Sequence, residues 1–217
     1  MATPTDADVL TLSQWFSPAY PVGGFAYSHG LEWAIDSGAV TDAERAGNWV
    51  CDVLRHGAGW NDSLFLIAAY RAGSPAMVAK AEALCRATAA SRERLQETCL
   101  QGQAFCRITS DIWGGGLHDL TYPVAVGRAA RQLNLPLELT VQMYLQSFGA
   151  NLAGAAMRLV PLGQTEGQAM IRDLAPLCRQ IAGRALQSGL QDIGSTVFLA
   201  DIAAMRHETQ QSRIFRT

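Results

Sequence analysis

Residues 137–160 read LELTVQMYLQSFGANLAGAAMRLV and lie between Pro136 and Pro161. If all 24 residues are helical, the helix is about 36 Å long, which would be enough to cross a membrane. Polar side chains lie on several faces of that helix, which contact with lipid would not tolerate: Glu138, Gln142, Gln146, Asn151 and Arg158. Small residues from Gly149 to Ala156 allow neighbouring helices to approach closely. The stretch therefore predicts a central core helix.

Shorter helical patterns with recognisable ends flank this segment. Ser28 and Gly38 bound a short helix, and the capping box Thr41–Glu44 starts the next one. Thr165 begins a helix that Pro176 should kink or split. Further helices are predicted for residues 5–16, 63–72, 92–108, 121–133 and 195–206, and from Pro75 onwards. In the segment 92–108, Leu95, Cys99, Gly102 and Cys106 lie along one face, and Arg, Glu and Gln residues lie along the opposite, polar face. Since no stretch alternates as a strand would, the sequence predicts a single-domain, all-α bundle of about eight to ten helices around the long central helix.

Length and composition fit one globular domain with extensive protein contacts. The chain has 217 residues, enough to bury about 70% of its unfolded surface, so one domain over residues 1–217 is expected. Charged residues make up 17% and apolar residues 49%, so much of the surface should be uncharged and suited to a homodimer or another protein contact. A net charge of −2 gives no general attraction for nucleic acid or anionic lipid, and neither is expected as a partner.

The N-terminal residues favour a cytoplasmic location, in which a structural disulfide is not expected. The segment Met1–Asp8 has neither the basic region nor the hydrophobic region of a secretion signal. The five cysteines form no CxxC pair and fall mostly on the apolar sides of helical patterns. They are therefore interpreted as reduced core residues: Cys51, Cys85, Cys99, Cys106 and Cys178.

The sequence lacks the residue patterns of several catalytic and metal-binding classes. Its single lysine, Lys80, lies within a helical run, so the chain has no P-loop lysine for a nucleotide phosphate. It has no GxSxG elbow, and His207-Glu208 lacks the second histidine of a zinc protease helix. The four histidines are far apart in sequence, with no His-x-His pair on one face. No catalytic residue, tightly held metal or cofactor is therefore expected.

Residues 17–33 read SPAYPVGGFAYSHGLEW and have no regular period; we call them the aromatic loop. Two prolines and two adjacent glycines restrict and shape its backbone. Tyr20, Phe25 and Tyr27 are side chains of the kind that anchor interfaces. Two interpretations stay open: a tightly packed connection whose aromatic residues fill the core, or a shaped binding loop.

Residues 206–217 read RHETQQSRIFRT and form the C-terminal tail. Its polar composition predicts a mobile, solvated segment in the free protein. The arginines beside Ile214 and Phe215 supply the hydrogen-bond donors and the hydrophobic anchor that a segment needs to become ordered on a partner. The short first helix is also marginal alone, so the tail and the N-terminal segment 1–26 are expected to become ordered together on one partner.

Three stretches resemble, in order along the chain, the signatures of the UreF family of urease accessory proteins. The first is PVGGFAYSHGLEWA at residues 21–34, and the second is LVPLGQT at residues 159–165, followed by Gly167-Gln168. The third combines DIGS at residues 192–195 with the C-terminal tail. The resemblance spans nearly the whole chain and is thin from about Pro75 to Pro136.

The resemblance implies a non-enzymatic, dimeric, all-α helper in urease maturation. Such a protein would bridge a UreD/UreH-type accessory protein to the nickel-carrying GTPase UreG, and so help nickel to enter the urease apoprotein. The partner-binding residues that the resemblance carries over are Tyr20, Pro21, Val22, Gly23, Gly24, Phe25, Tyr27, His29, Arg158, Gln164, Arg206, His207, Glu208, Gln210, Ser212, Arg213, Phe215 and Arg216.

The sequence departs from the family pattern at three positions. His29 stands where glutamine is common, Gln211 replaces an aromatic residue, and Arg158 occupies a position that can be lysine. Arginine keeps the charge of lysine but not its hydration and reach. A second function class is a small helical enzyme of the thiaminase-like type, which needs a closed cavity where a cysteine and a carboxylate converge. Against it, the acidic residues lie mainly at predicted helix starts and on polar faces.

Overall fold

The computed structural model describes residues 3–217 and places ten α-helices within them. Met1 and Ala2, which belong to the predicted N-terminal segment 1–26, lie outside the described residues. No described residue is in a β-strand, and the predicted all-α fold is confirmed. The helices are α1 (Asp6–Trp15), α2 (Leu31–Asp36), α3 (Ala43–His56), α4 (Ala58–Arg71), α5 (Pro75–Ala87), α6 (Arg92–Trp113), α7 (Tyr122–Gln132), α8 (Leu137–Leu159), α9 (Gln164–Ala185) and α10 (Phe198–His207).

Helix α8 is the central helix of the bundle. It packs against α9, α3, α4 and α2, and it also contacts α1 and α7. Tyr144, Leu145 and Leu152 lie on its buried side. Gly149 lets α9 come close, because a Cβ at that position would lie only 2.7 Å from Leu174 Cδ1. Across residues 3–217, none of the helices combines the length and the hydrophobicity needed to cross a membrane.

Several helix ends differ from the predicted ends. Helix α4 begins at Ala58 instead of near Asn61, and Gly57 is the single residue between it and α3. Helix α6 continues beyond Ile108 to Trp113 and ends at Gly114, where φ is +81°. Pro176 does not split α9, which stays helical from Gln164 to Ala185. Packing of α9 along α8 thus outweighs the single backbone hydrogen bond that a proline removes.

Part of the predicted polar side of α6 is buried. Its Arg, Glu and Gln residues were expected to face solvent, yet Arg94, Glu97 and Gln101 are 9%, 3% and 6% exposed. They lie on the same face as Gly102 and Phe105, which pack in the core. The acidic Glu97 is therefore interior and is not part of a solvated face, because the buried side chains of Arg94 and His29 lie within hydrogen-bonding distance of it.

The C-terminal tail differs from the predicted mobile segment. Phe215 and Thr217 are only 4% and 2% exposed. Phe215 belongs to a second hydrophobic cluster with Leu31, Val160 and Leu162. The tail therefore packs against the body of the isolated chain, because its apolar anchor has a place in the core.

Helix α1 is also packed. Its N-terminus has a capping box between Thr5 and Asp8. Leu12 and Trp15 are fully buried, and the Trp15 ring meets the Phe105 ring edge-on, with 5.2 Å between centroids. A short helix gains its stability from such tertiary contacts rather than from its own hydrogen bonds.

Candidate functional site

The aromatic loop combines buried and exposed rings. The Tyr20 hydroxyl lies 2.7 Å from the Thr109 hydroxyl, and burial raises the pKa of Tyr20 despite that hydrogen bond. Tyr27 is also buried, whereas Phe25 is 60% exposed. Tyr20 and Tyr27 thus fill the protein's own core, and of the three rings only that of Phe25 is presented to solvent.

Two glycines position Phe25 on the surface. Gly23 has a φ of +74°, a conformation that favours glycine. A Cβ on Gly24 would lie 2.6 Å from Asn151 Nδ2, so this glycine lets the loop lie against α8. On the other side, Arg158 Nη1 donates to the Phe25 carbonyl at 3.4 Å.

The aromatic loop and the C-terminal tail are joined through their backbones. The Ser28 N–H donates to the Thr217 carbonyl at 2.9 Å, and the Arg216 N–H donates to the Ala26 carbonyl at 2.8 Å. The Ser28 hydroxyl donates to the same Thr217 oxygen. Residues almost two hundred positions apart in sequence therefore form one continuous surface.

Glu32 of α2 holds the tail from inside. One of its carboxylate oxygens accepts the Ile214 N–H at 2.6 Å, and the other accepts the Phe215 N–H at 2.9 Å. The Glu32 side chain is 6% exposed. The Phe215 ring is buried beneath Arg158, whose guanidinium carbon lies 5.8 Å from the ring centroid. The carboxylate thus satisfies the backbone donor of the buried Phe215, which would otherwise lack a partner, as well as that of Ile214.

His207 lies between two carboxylates. Its Nε2 is 3.1 Å from Glu32 Oε2, and its Nδ1 is 2.7 Å from Glu93 Oε2. The His207 side chain is fully buried. Glu93 also accepts a hydrogen bond of 2.5 Å from Arg213 Nη1 of the tail. Helices α2, α6 and α10 are thus linked to the tail by one set of charged side chains.

A second buried set of charged side chains lies beside the first. Arg94 Nη2 donates to Asp62 Oδ2 at 2.8 Å and Arg94 Nη1 lies 3.2 Å from Glu97 Oε2. His29 Nε2 is 3.1 Å from Glu97 Oε1, and the Tyr144 hydroxyl donates to Asp62 at 2.7 Å. Buried charges need such partners, because an isolated one would be too costly to remove from water.

The environment shifts the pKa values of these groups in different directions. Burial raises the pKa of Asp62, which Arg94 and Tyr144 offset only in part. Burial acts in the same direction on Glu97, but Arg94 and His29 outweigh it and the pKa of Glu97 is lowered. Burial alone would lower the pKa of Arg94, yet Glu97 and Asp62 raise it, so the guanidinium stays charged.

The residues carried over from the resemblance fall into three groups. Five are buried: Tyr20, Tyr27, His29, His207 and Phe215. Five are partly buried: Val22, Gly23, Gly24, Glu208 and Gln210. Eight are exposed: Pro21, Phe25, Arg158, Gln164, Arg206, Ser212, Arg213 and Arg216.

The structure brings the residues of the loop, the tail and Arg158 into contact. Gln164 is the first residue of α9 and follows Gly163. Its side chain takes no part in the hydrogen bonds described above between the loop, the tail and Arg158. The exposed apolar residues of α10 precede the tail directly, and they are Phe198, Leu199, Ile202 and Met205, with 47% to 73% of each exposed. Ile214 of the tail is 72% exposed.

One cavity brings a cysteine near a carboxylate. Asp62, Cys85 and Arg94 line a cavity of about 130 Å³, together with Ser195 and Asp201. Burial raises the pKa of Cys85 to about 12, so the thiol is a poor nucleophile at neutral pH. Asp62 is already paired with Arg94. Within residues 3–217 no three His, Cys, Asp or Glu side chains converge as a metal site requires.

Sequence reasoning missed the charged residues that organise this site: Glu32, Asp62, Glu93, Arg94 and Glu97. Their partners lie far away in sequence, so helical periodicity alone does not predict them. One signal was present, because Arg94 and Glu97 are oppositely charged and three residues apart on a helix, a spacing that allows contact.

Comparison with known proteins identifies relatives over the whole length. The UreF family model matches residues 40–175, which is more than half of the chain. The urease accessory protein UreF of Ruegeria pomeroyi is 60% identical over 217 residues, with all of both chains covered. That of Roseobacter denitrificans is 53% identical over 213 residues, covering 98% of this chain and 95% of its own. That of Rhodopseudomonas palustris is 41% identical, covering 97% of this chain and 94% of its own. The chain belongs to the UreF family of urease accessory proteins.

Proposed function

We propose that this chain is a non-enzymatic urease maturation factor that bridges a UreD/UreH-type accessory protein to the GTPase UreG and assists nickel insertion into the urease apoprotein. Membership of the UreF family supports the role in urease maturation. The observation that carries the docking role is the single surface formed by the aromatic loop and the C-terminal tail. In this proposal the protein works in the cytoplasm, as a homodimer.

The exposed side chains of this surface suit a protein partner. Phe25 and Ile214 are 60% and 72% exposed and can be buried in a complex. Arg158 and Arg216 add exposed guanidinium groups, which can form bidentate bonds with carboxylates of a partner. Buried aromatic and arginine side chains supply most of the binding energy in typical interfaces. Glu32 holds the tail against the body of the protein, so docking to the closed tail would not have to order it.

The exposed face of α10 extends this surface. Phe198 and Leu199 are 69% and 73% exposed, and Ile202 follows one turn later. A contiguous apolar stripe on a monomer is typical of a protein interaction site. Because α10 runs directly into the tail, we assign its exposed face to the same partner.

The thiaminase-like alternative is not favoured. The cavity at Cys85 contains a carboxylate, as that reading requires, but the thiol is held neutral and Asp62 is committed to Arg94. An activated cysteine needs a lowered pKa or an adjacent base.

Capture by partner proteins tests the proposal. Purified protein should bind the UreD-type protein of the same organism, and the resulting complex should bind UreG. The double variant Phe25→Ala/Arg158→Ala removes two exposed contacts and should weaken the first complex by about tenfold or more, because each anchor contributes about 1–2 kcal/mol. Its melting temperature should stay close to that of the wild type.

Met77→Ala provides a matched control. Met77 is 52% exposed on α5, so this variant removes exposed apolar area from outside the proposed surface. It should bind like the wild type. Unchanged binding by Phe25→Ala/Arg158→Ala would place the docking surface elsewhere.

A further inference from the structure

Three side chains hold residues 213–215 of the C-terminal tail from inside, and we call them the carboxylate clasp: Glu32 of α2, Glu93 of α6 and His207, the tail residue that ends α10. Glu32 accepts the backbone N–H groups of Ile214 and Phe215, and Glu93 accepts from Arg213. His207 joins the two carboxylates through both ring nitrogens. Every contact of the clasp therefore acts on the tail or on a group that holds it.

The geometry of His207 determines how many protons it carries. A carboxylate accepts hydrogen bonds and cannot donate them when it is ionised. A neutral imidazole has one N–H, so one of its nitrogens would face a carboxylate oxygen with no hydrogen between them. Both contacts are favourable only when the ring is doubly protonated and positively charged.

The charge balance leads to the same conclusion. The clasp is buried, and Arg213 is the cation that reaches it from the tail. With His207 protonated, the charges of Glu32, Glu93, His207 and Arg213 sum to zero. With His207 neutral, one negative charge remains buried without compensation, which is strongly unfavourable.

Charged groups of each element around the clasp have their own partners. From α2, Glu32 faces the ring, and from α6, Glu93 does so. Arg92 of α6 pairs with Glu208 at the end of α10, 3.7 Å away. Arg94 turns the other way, towards Asp62 and Glu97, and Arg206 is exposed on the outer side of α10.

We propose that the carboxylate clasp is a pH-sensitive latch, which holds the tail in its docking position when His207 is protonated and loosens it as the pH rises. Closing the tail takes up a proton that the open tail binds more weakly. The stabilisation of the closed tail is therefore complete at low pH and decreases as His207 loses its proton. One linked proton changes the ratio of closed to open tail by up to about tenfold per pH unit.

Hydrogen exchange of the Ile214 and Phe215 amides tests the latch in the isolated protein. After correction for intrinsic exchange rates, protection should fall as the pH rises through the range in which histidine loses its charge. The decrease should approach about tenfold per pH unit at its steepest. The ¹⁵N shifts of the His207 ring should show two protonated nitrogens while the tail is closed.

Glu93→Gln is the decisive variant. Its side-chain amide can donate to Nδ1 of a neutral His207 while its oxygen still accepts from Arg213, so the clasp closes without the second proton. Tail protection in this variant should be high and nearly independent of pH. His118→Gln removes an exposed histidine far from the clasp in sequence and should keep the wild-type profile.

The outcomes separate the latch from the docking role on which its function rests. Protection of the wild type that does not vary with pH, or a Glu93→Gln variant that keeps the wild-type slope, would overturn the latch even if partners bind. If the latch operates and supports docking, affinity for the UreD-type protein should fall with rising pH in the wild type and stay constant in Glu93→Gln. A pH-dependent tail without any partner binding would leave the latch in place and remove the proposed function.

Discussion

Glu97 shows how a single buried residue depends on distant partners. It is 3% exposed and accepts from Arg94, His29 and Gln101. The sequence predicted the α6 helix that carries it but assigned its charged residues to solvent. A periodic pattern shows which residues share a face of a helix. Whether charged residues on that face can be buried depends on partners from other parts of the chain, here Asp62 and His29.

The lowered pKa of Glu97 predicts a loss of stability in acid. A carboxyl group whose pKa is lower in the folded state stabilises the protein above its unfolded value of about 4.3, and that contribution is lost as the pH falls. The raised pKa of Asp62 acts in the opposite direction and reduces the net effect. In Glu97→Gln, Arg94 and His29 lose a charged partner, so the free energy of unfolding at pH 7 should fall by about 3 kcal/mol. Its decrease between about pH 5 and about pH 3 should be shallower than in the wild type.

Urea unfolding over a series of pH values measures this effect. Asp173→Asn is the matched control, because Asp173 also has a lowered pKa through Arg172 but its side chain is 63% exposed. That variant should change stability little, since surface ion pairs are screened by solvent. Parallel pH profiles for the wild type and Glu97→Gln would contradict the buried network.

Among the helices, local sequence signals located the helices but not always the residues that cap them. Ser74 caps α5, whereas α3 is capped by Asp42 instead of starting with the predicted Thr41–Glu44 capping box, and the N-cap of α2 is Gly30 instead of Ser28. The predictions were poorer where tertiary packing decides, as in α9, where Pro176 lies within an unbroken helix. The position of the tail could not be predicted for the same reason, because its acceptor, Glu32, lies on α2.

The contact between α2 and α10 predicts a large effect for Gly30→Ala. Gly30 has a φ of +75°, and a Cβ there would lie 2.5 Å from the Ala204 backbone nitrogen. The variant should be destabilised by about 2–5 kcal/mol, because it combines backbone strain with overpacking between two helices. Since α10 carries His207, protection of the tail amides should fall as well.

Gly38→Ala separates the two causes. Gly38 has nearly the same φ, +77°, but no atom lies within 4 Å of a Cβ at that position. It should cost only about 1–2 kcal/mol, from the backbone conformation alone. Equal destabilisation of the two variants in urea unfolding, with unchanged tail protection in both, would show that α2 and α10 do not pack as closely as described.

At the scale of the whole molecule, the surface has apolar areas that the chain itself does not cover. Charged residues are only 17% of the chain. Exposed hydrophobic residues also occur away from α10, for example Leu10 and Ile112 at 70% and 58% exposure. The all-α bundle follows from patterns in the sequence. Which partner covers which apolar area does not follow from them, since an exposed apolar side chain does not identify the protein that will bury it.

The proposed homodimer and the proposed partner complex make different use of the surface. The wild-type protein should sediment as a dimer at tens of micromolar, because so apolar a surface favours self-association. The double variant Phe198→Ser/Leu199→Ser removes apolar area from α10 without touching the core, so it should remain a dimer and keep its melting temperature. It should bind the UreD-type protein about tenfold or more weakly, because this face of α10 is assigned to that partner. A wild type that sediments purely as a monomer would rule out the dimer. A double variant that becomes monomeric would instead show that α10 forms the contact between the two copies.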